Sequence, residues 1–343
     1  MLLHLLSYYT SSLYRPTSSL SRPSHFRLIS ARREMSLENS HLNVQRTLAF
    51  RLCTVSSYKT ELLEICSDDP KLHVLFIPGN PGIVSFYKDF LESLYEFLGG
   101  SASVTAIGHI SHTKKNWEHG RLFSLQQQID HKVDFIEQEL KNTGVPIVLV
   151  GHSIGSYISI ETLRKTPEKV KYCIGLYPFL MLNPLSEKQT DIKKVAESSI
   201  LSALLSFSMA SVGLLPRCAS RIIVSNSIGK SWSATAVDAA CSHLLRYHTF
   251  RNMIFMALTE FRKLSETPDW AFMRENQSKM AFLFGVGDHW GPLEMFDEIA
   301  EQVPGIALSI EREGHTHSFC CSEAGSVWVA QYVASLIKNQ LLS

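Results

Sequence analysis

No charge of either sign dominates this sequence of 343 residues: 33 Lys and Arg stand against 32 Asp and Glu, for a formal charge of +1. That balance excludes the broad basic field that recruits nucleic acid or an anionic membrane, so any membrane affinity has to come from local apolar surface. Cysteine occurs seven times, at positions 53, 66, 173, 218, 241, 320 and 321, and forms neither an even set nor a CxxC pair. A disulfide scaffold and a zinc site are both disfavoured, and a reducing compartment with cysteines as small core residues fits best. Acidic residues are missing from the first 33 positions, where Arg15, Arg22, Arg27, Arg32 and Arg33 lie among serines before Glu34. This is the composition of a mitochondrial or plastid transit peptide and not of a secretory signal. The competing account is a disordered tail, or an upstream extension of a protein that starts at Met35. Residues 1–44 are therefore set outside the expected fold.

What remains is rich enough in apolar residues, 45% hydrophobic against 19% charged over the whole chain, to bury one large domain over residues 45–343. Residues 47–55 and 60–67 read as two β-rich runs joined by a polar turn, an opening hairpin. His73–Ile77 is continuously apolar and stops at Pro78-Gly79-Asn80-Pro81-Gly82, as a strand buried on both faces should. A helix is expected over Phe86–Leu98, from the spacing of Phe86, Phe90, Leu94 and Phe97, and another over Leu125–Lys141, with Ile129, Val133, Ile136 and Leu140 on one face. Short apolar runs at Val104–Ile107, Pro146–Val150, Met280–Phe284 and Ile306–Ile310 complete an alternation that calls for an α/β fold, a mostly parallel sheet flanked by helices.

Pro146–Val150 runs straight into Gly151-His152-Ser153-Ile154-Gly155, with helix-compatible Ser156–Lys165 beyond it. A GxSxG string between a buried strand and a helix is the nucleophile elbow of the α/β-hydrolase fold, which lifts the serine hydroxyl above the sheet at a helix N-terminus. Ser153 is thus the candidate nucleophile. In this fold the acid and then the base follow in chain order. Asp288 sits in a turn just past the Met280–Phe284 run, where ligand-facing groups of open α/β sheets belong; the structural alternative is a turn-capping aspartate. Beyond Ile306–Ile310 come His315 and His317, and either imidazole suits the base. For the oxyanion the backbone N–H of Ile154 is one expected donor, and Asn80 the other, since Pro81 has none. No metal or cofactor is called for.

Three separated stretches resemble the lipid droplet-associated hydrolases: Phe76–Gly82 with Phe86-Tyr87 after it, Gly151–Gly155, and the aspartate and His-x-Phe segments near the end. The resemblance runs from about Leu72 to Ile337. It implies a Ser153, Asp288 and His317 triad, the His-x-Phe pattern choosing His317 over His315, and neutral lipid esters such as sterol esters or acylglycerols at a droplet surface.

Between Pro178 and Met280 the chain is far longer than a βα connection needs, which predicts a helical lid insertion over residues 179–279. Its segment Ile200–Leu215 is apolar but short of the ~20 residues of a membrane span, and suits a helix lining an acyl pocket or resting on a lipid surface. Phe250–Leu264 carries Ile254, Leu258 and Phe261 at helical spacing. The plainer alternative is that both helices pack on the core. The combined expectation is a serine hydrolase of hydrophobic carboxylic esters, bound peripherally to a lipid droplet through its lid. Two other accounts compete with it: a weakly active or non-catalytic droplet adaptor, and an organellar esterase for small soluble esters.

Overall fold

A computed structural model describes residues 48–342, apart from Ile228 and Lys230. The N-terminal extension of residues 1–44 lies outside the described residues. The chain enters the fold through a hairpin, β1 (Ala49–Val55) and β2 (Tyr58–Ile65), paired antiparallel around Ser56-Ser57. Both turn residues have positive φ, 47° and 73°, as in the type I′ turn whose twist matches that of the strands. The second strand starts and ends two residues earlier than the sequence predicts, because serine at these positions gives none of the Asn-Gly signal that normally locates such a turn.

Six further strands follow: β3 (Leu72–Ile77), β4 (Ala102–Ile107), β5 (Ile147–His152), β6 (Val170–Leu176), β7 (Met280–Gly285) and β8 (Ala307–Glu311). They complete an eight-stranded sheet of order β1-β2-β4-β3-β5-β6-β7-β8, antiparallel up to β4 and parallel thereafter. Every residue of β3, β5 and β7 is buried, which is why these strands read as unbroken apolar runs. Within β3 the side chains divide by parity, Leu72, Val74 and Phe76 into one hydrophobic cluster and Leu75 and Ile77 into the other.

Helices α1 (Lys88–Phe97) and α11 (Glu323–Ile337) cover the first face, burying Phe90, Leu94, Val329 and Val333. The second face is covered by α2 (Leu125–Gln138), α3 (Ile154–Lys165) and α10 (Leu293–Gln302). The helix expected over Phe86–Leu98 begins as a 3-10 turn, Val84–Tyr87, before α1 proper. A reciprocal capping box between Ser124 and Gln127 sets the start of α2.

Between β6 and β7 the chain makes α4 (Glu187–Glu197), α5 (Ser199–Gly213), α6 (Arg217–Ser227), α7 (Ala234–Ala239) with a π-helical turn after it, α8 (Tyr247–Lys263) and α9 (Trp270–Glu275). The Leu182 N–H donates to the Leu264 carbonyl at 3.2 Å, so α4 through α8 leave and rejoin the rest of the fold at one neck. The two apolar helices of this insertion part company. α8 buries Phe250, Met253, Ile254, Met256, Ala257 and Phe261, whereas α5 buries Leu205 and Met209 but leaves Ile200, Leu204 and Phe207 exposed by 73, 59 and 61%. Among the described residues no single helix is long and apolar enough to cross a membrane; α4 and α5 meet at 97°.

Candidate active site

Ser153 stands between β5 and α3 with φ 55° and ψ −124°, a conformation an L-residue adopts only when its surroundings enforce it. They do so through backbone contact. A Cβ at Gly151 would run into the Gly155 carbonyl, and one at Gly155 into the carbonyls of Ile77 and Pro78, so only glycine lets α3 come this close to the ends of β5 and β3. The Ser153 N–H donates to the Leu176 carbonyl at 2.9 Å, and its carbonyl accepts from Phe179 and Ser156. Side chains of Ser153 and His317 share the wall of one cavity.

Asp288 lies in the turn after β7, its carboxylate almost wholly buried. Oδ1 accepts from the Trp290 N–H at 2.9 Å and Oδ2 from His317 Nδ1 at 2.8 Å. With the Nδ1 proton committed to the carboxylate, Nε2 of a neutral His317 is left as the acceptor. Of the two histidines that the sequence offers, it is therefore His317 that the aspartate holds; the His315 ring packs against Trp328, with centroids 5.8 Å apart.

The loop after β3 lies against the serine: a Cβ on Gly79 would come within 3.0 Å of Ser153 Cβ. Its donors are mostly committed. The Gly79 N–H donates to Tyr87 Oη at 3.1 Å, the Gly82 N–H to His112 Nδ1 at 2.8 Å, and Pro81 has none. Among the described residues the backbone N–H groups of Asn80 and Ile154 have no hydrogen-bond partner.

Sequence reasoning missed a buried relay beneath this loop. His152 Nε2 lies 2.9 Å from the His317 carbonyl, which can only accept, so this nitrogen carries the proton. Nδ1 then accepts from Tyr87 Oη at 2.7 Å. Gly79, Tyr87, His152 and His317 thus form one chain of hydrogen bonds, and burial, followed by the charge of His317, holds the His152 ring well below the usual imidazole range. Tyr87 was visible only as half of a Phe-Tyr pair, and His152 only as the variable position of GxSxG. Glu260 gave no signal at all. It reaches the cavity from α8, where its Oε1 accepts from Asn80 Nδ2 at 3.0 Å, and burial pushes its carboxyl up to about 8.

The remaining cavity wall is largely apolar and aromatic, with Phe86, Phe179 and Trp290 from the sheet side and Trp232, Leu244 and Met253 from the insertion. Residues 70–320 match the family model described as lipid-droplet associated hydrolase. The chain belongs to that family. Its similarity to individual lipid droplet-associated hydrolases is spread over most of both chains: 26% identity over 297 residues to the Dictyostelium discoideum protein, covering 82% of this chain and 94% of that one, and 24% over 267 residues to the human protein, covering 73% and 80%. Among solved structures the chain is similar to an epoxide hydrolase from Vigna radiata (TM-score 0.63, 16% identity, 85% of this chain and 98% of that one). It is likewise similar to a soluble variant of monoglyceride lipase from Saccharomyces cerevisiae (0.60, 14%, 88% and 99%). These likenesses establish the α/β-hydrolase fold for this lipid-droplet associated hydrolase family member; neighbours with such different activities leave the chemistry to be argued from the site.

Proposed function

We propose that the protein is a serine hydrolase of hydrophobic carboxylic esters, sterol esters or acylglycerols, working at the surface of lipid droplets. The observation that carries this reading is the His317–Asp288 hydrogen bond placed on the same cavity as a serine in elbow geometry. Ser153 Oγ attacks the ester carbonyl while His317 Nε2 takes its proton; Asp288 holds the tautomer and stabilises the imidazolium. The free N–H groups of Ile154 and Asn80 receive the oxyanion. Proton return from His317 to the leaving alcohol yields the acyl-enzyme, and water repeats the sequence to release the acid. The apolar cavity wall supports a lipid acyl chain over a polar one. The insertion acts as a lid, and the exposed face of α5 supports peripheral contact with a lipid surface. That face also favours a second reading, an adaptor that binds lipid and whose cellular effect survives Ser153→Ala.

Labelling of the purified protein with a fluorophosphonate probe tests the nucleophile. Wild type and His315→Ala are expected to label; Ser153→Ala and His317→Ala are expected not to, and Asp288→Asn to label slowly. A folded wild type that never labels would overturn the hydrolase reading in favour of the adaptor. Emulsified cholesteryl esters and acylglycerols, compared with short soluble esters, test the substrate class, and turnover of the soluble esters alone would remove lipid from it.

A further inference from the structure

We propose that Glu260 is a positioning residue: through the Asn80 side chain it fixes the loop after β3 so that the Asn80 backbone N–H is presented to the developing oxyanion. This rests on the serine-hydrolase reading and adds to it a role for the inserted helices in completing the site.

Within Gly79–Gly82 only Asn80 keeps a free backbone donor, since the Gly79 and Gly82 amides are engaged and Pro81 has none. Where that donor sits depends on what holds the residue, and the side chain is held by nothing local. Asn80 Nδ2 donates to the Met253 carbonyl at 2.9 Å and to Glu260 Oε1 at 3.0 Å, partners 173 and 180 residues away in the chain. A carbonyl can only accept, so the Met253 contact settles which end of the amide is nitrogen. Among the described residues Asn80 Oδ1 has no partner, and the amide is secured by these two donations alone. Met253 and Glu260 lie two turns apart on α8, on one face. One helix of the insertion therefore sets the loop through a single side chain.

The charge state of Glu260 matters because the site it faces must accommodate a developing negative charge. Burial favours the neutral carboxyl, countered in part by the Asn80 hydrogen bond. Neutral, its carbonyl oxygen still accepts from Asn80 without opposing the oxyanion; ionised, it sets a like charge in the same cavity. The titratable groups that share the cavity with it are Tyr87, His152, His317, Cys320 and Cys321, and none of them is a carboxylate.

Steady-state hydrolysis of a p-nitrophenyl acyl ester by the full chain provides the test, with Glu260→Leu, Glu260→Gln, Asn80→Ala and the double variant Glu260→Leu/Asn80→Ala. Glu260→Leu is expected to lower kcat about tenfold or more with KM little changed, approaching the ~10²–10³ loss that follows removal of an oxyanion donor. Glu260→Gln, an isostere of the neutral carboxyl, is expected to recover most of kcat and to lack the decline expected of wild type as pH rises through about 8. The double variant is expected to be no worse than the poorer single one, the mark of a shared pathway. Should Glu260→Leu fail to fold, the pH profile of Glu260→Gln decides: a profile superimposable on wild type overturns the inference. Equal kcat in wild type and folded Glu260→Leu overturns it as well. Wild type inactive on every ester takes down the hydrolase reading and this inference together, whereas an active wild type with indifferent Glu260 variants removes only the latter.

Discussion

Tyr87 is the residue through which the loop after β3 and the base loop are joined. Its hydroxyl accepts from Gly79 and donates to His152, and its ring packs on Phe76 with centroids 4.5 Å apart. Tyr87→Phe keeps the packing and strands two buried polar groups, at a cost of about 1–3 kcal/mol each when unmet. Urea denaturation is expected to show a loss of about 2–6 kcal/mol for the two together, and esterase assays a several-fold fall in kcat; unchanged values of both would mean that the relay does not organise the site. At this scale the sequence was legible where chemistry is written in consecutive residues. Gly151–Gly155 announces a strained serine, and Asp288 and His317 lie just beyond strands where the fold places ligand-facing groups. Glu260 was illegible because its meaning comes only from Asn80, 180 residues away, and a carboxylate in an amphipathic helix looks like any solvated one.

The two apolar helices of the insertion show what an element's composition conceals. Both read as hydrophobic, but periodicity does not say whether a stripe meets the core, and the structure gives α8 an interior role while α5 keeps an outward face. Replacing Ile200, Leu204 and Phe207 by serine removes three side chains, each worth about 1.5–3 kcal/mol when fully buried. Binding to triolein emulsions is expected to weaken by about tenfold or more even with partial insertion, while kcat/KM for a soluble short-chain ester stays near wild type. Flotation assays provide the comparison, and undiminished flotation would dismiss α5 as the contact. The strands were easier: β3, β5 and β7 are buried on both faces and are therefore apolar nearly throughout, His73 and His152 being the polar exceptions. The Ser56-Ser57 turn escaped because neither residue is one that usually adopts positive φ.

Across the whole molecule, buried histidines couple stability to acidity. Burial lowers His73 to about 4 and His112 to about 3 from an ordinary 6.5, and holds His109 and His131 well below it, with the charge of Lys132 adding to the effect for His112, His109 and His131. Unfolded, these rings take up protons near pH 6.5; folded, they resist until far lower. The unfolded state binds more protons in that window, so stability is complete above pH 6.5 and falls as pH drops toward 4. His73 and His112 alone account for roughly 2 kcal/mol each at pH 5. Guanidinium denaturation at pH 7.5 and pH 5.0 measures the difference, and equal midpoints would contradict it.

The neck at Leu182 and Leu264 has a consequence for how such a protein diversifies. A segment that departs and returns at one backbone hydrogen bond is a cassette: its ends are already neighbours, so lengthening or exchanging it adds little closure entropy and leaves the sheet, the elbow and the acid–base pair untouched. The cassette is nonetheless not inert, since Met253 and Glu260 lie within it. Grafting in a foreign insertion would preserve the nucleophile and its base while discarding the anchor of Asn80, so successful transplants should carry an acceptor pair two helical turns apart at the corresponding place.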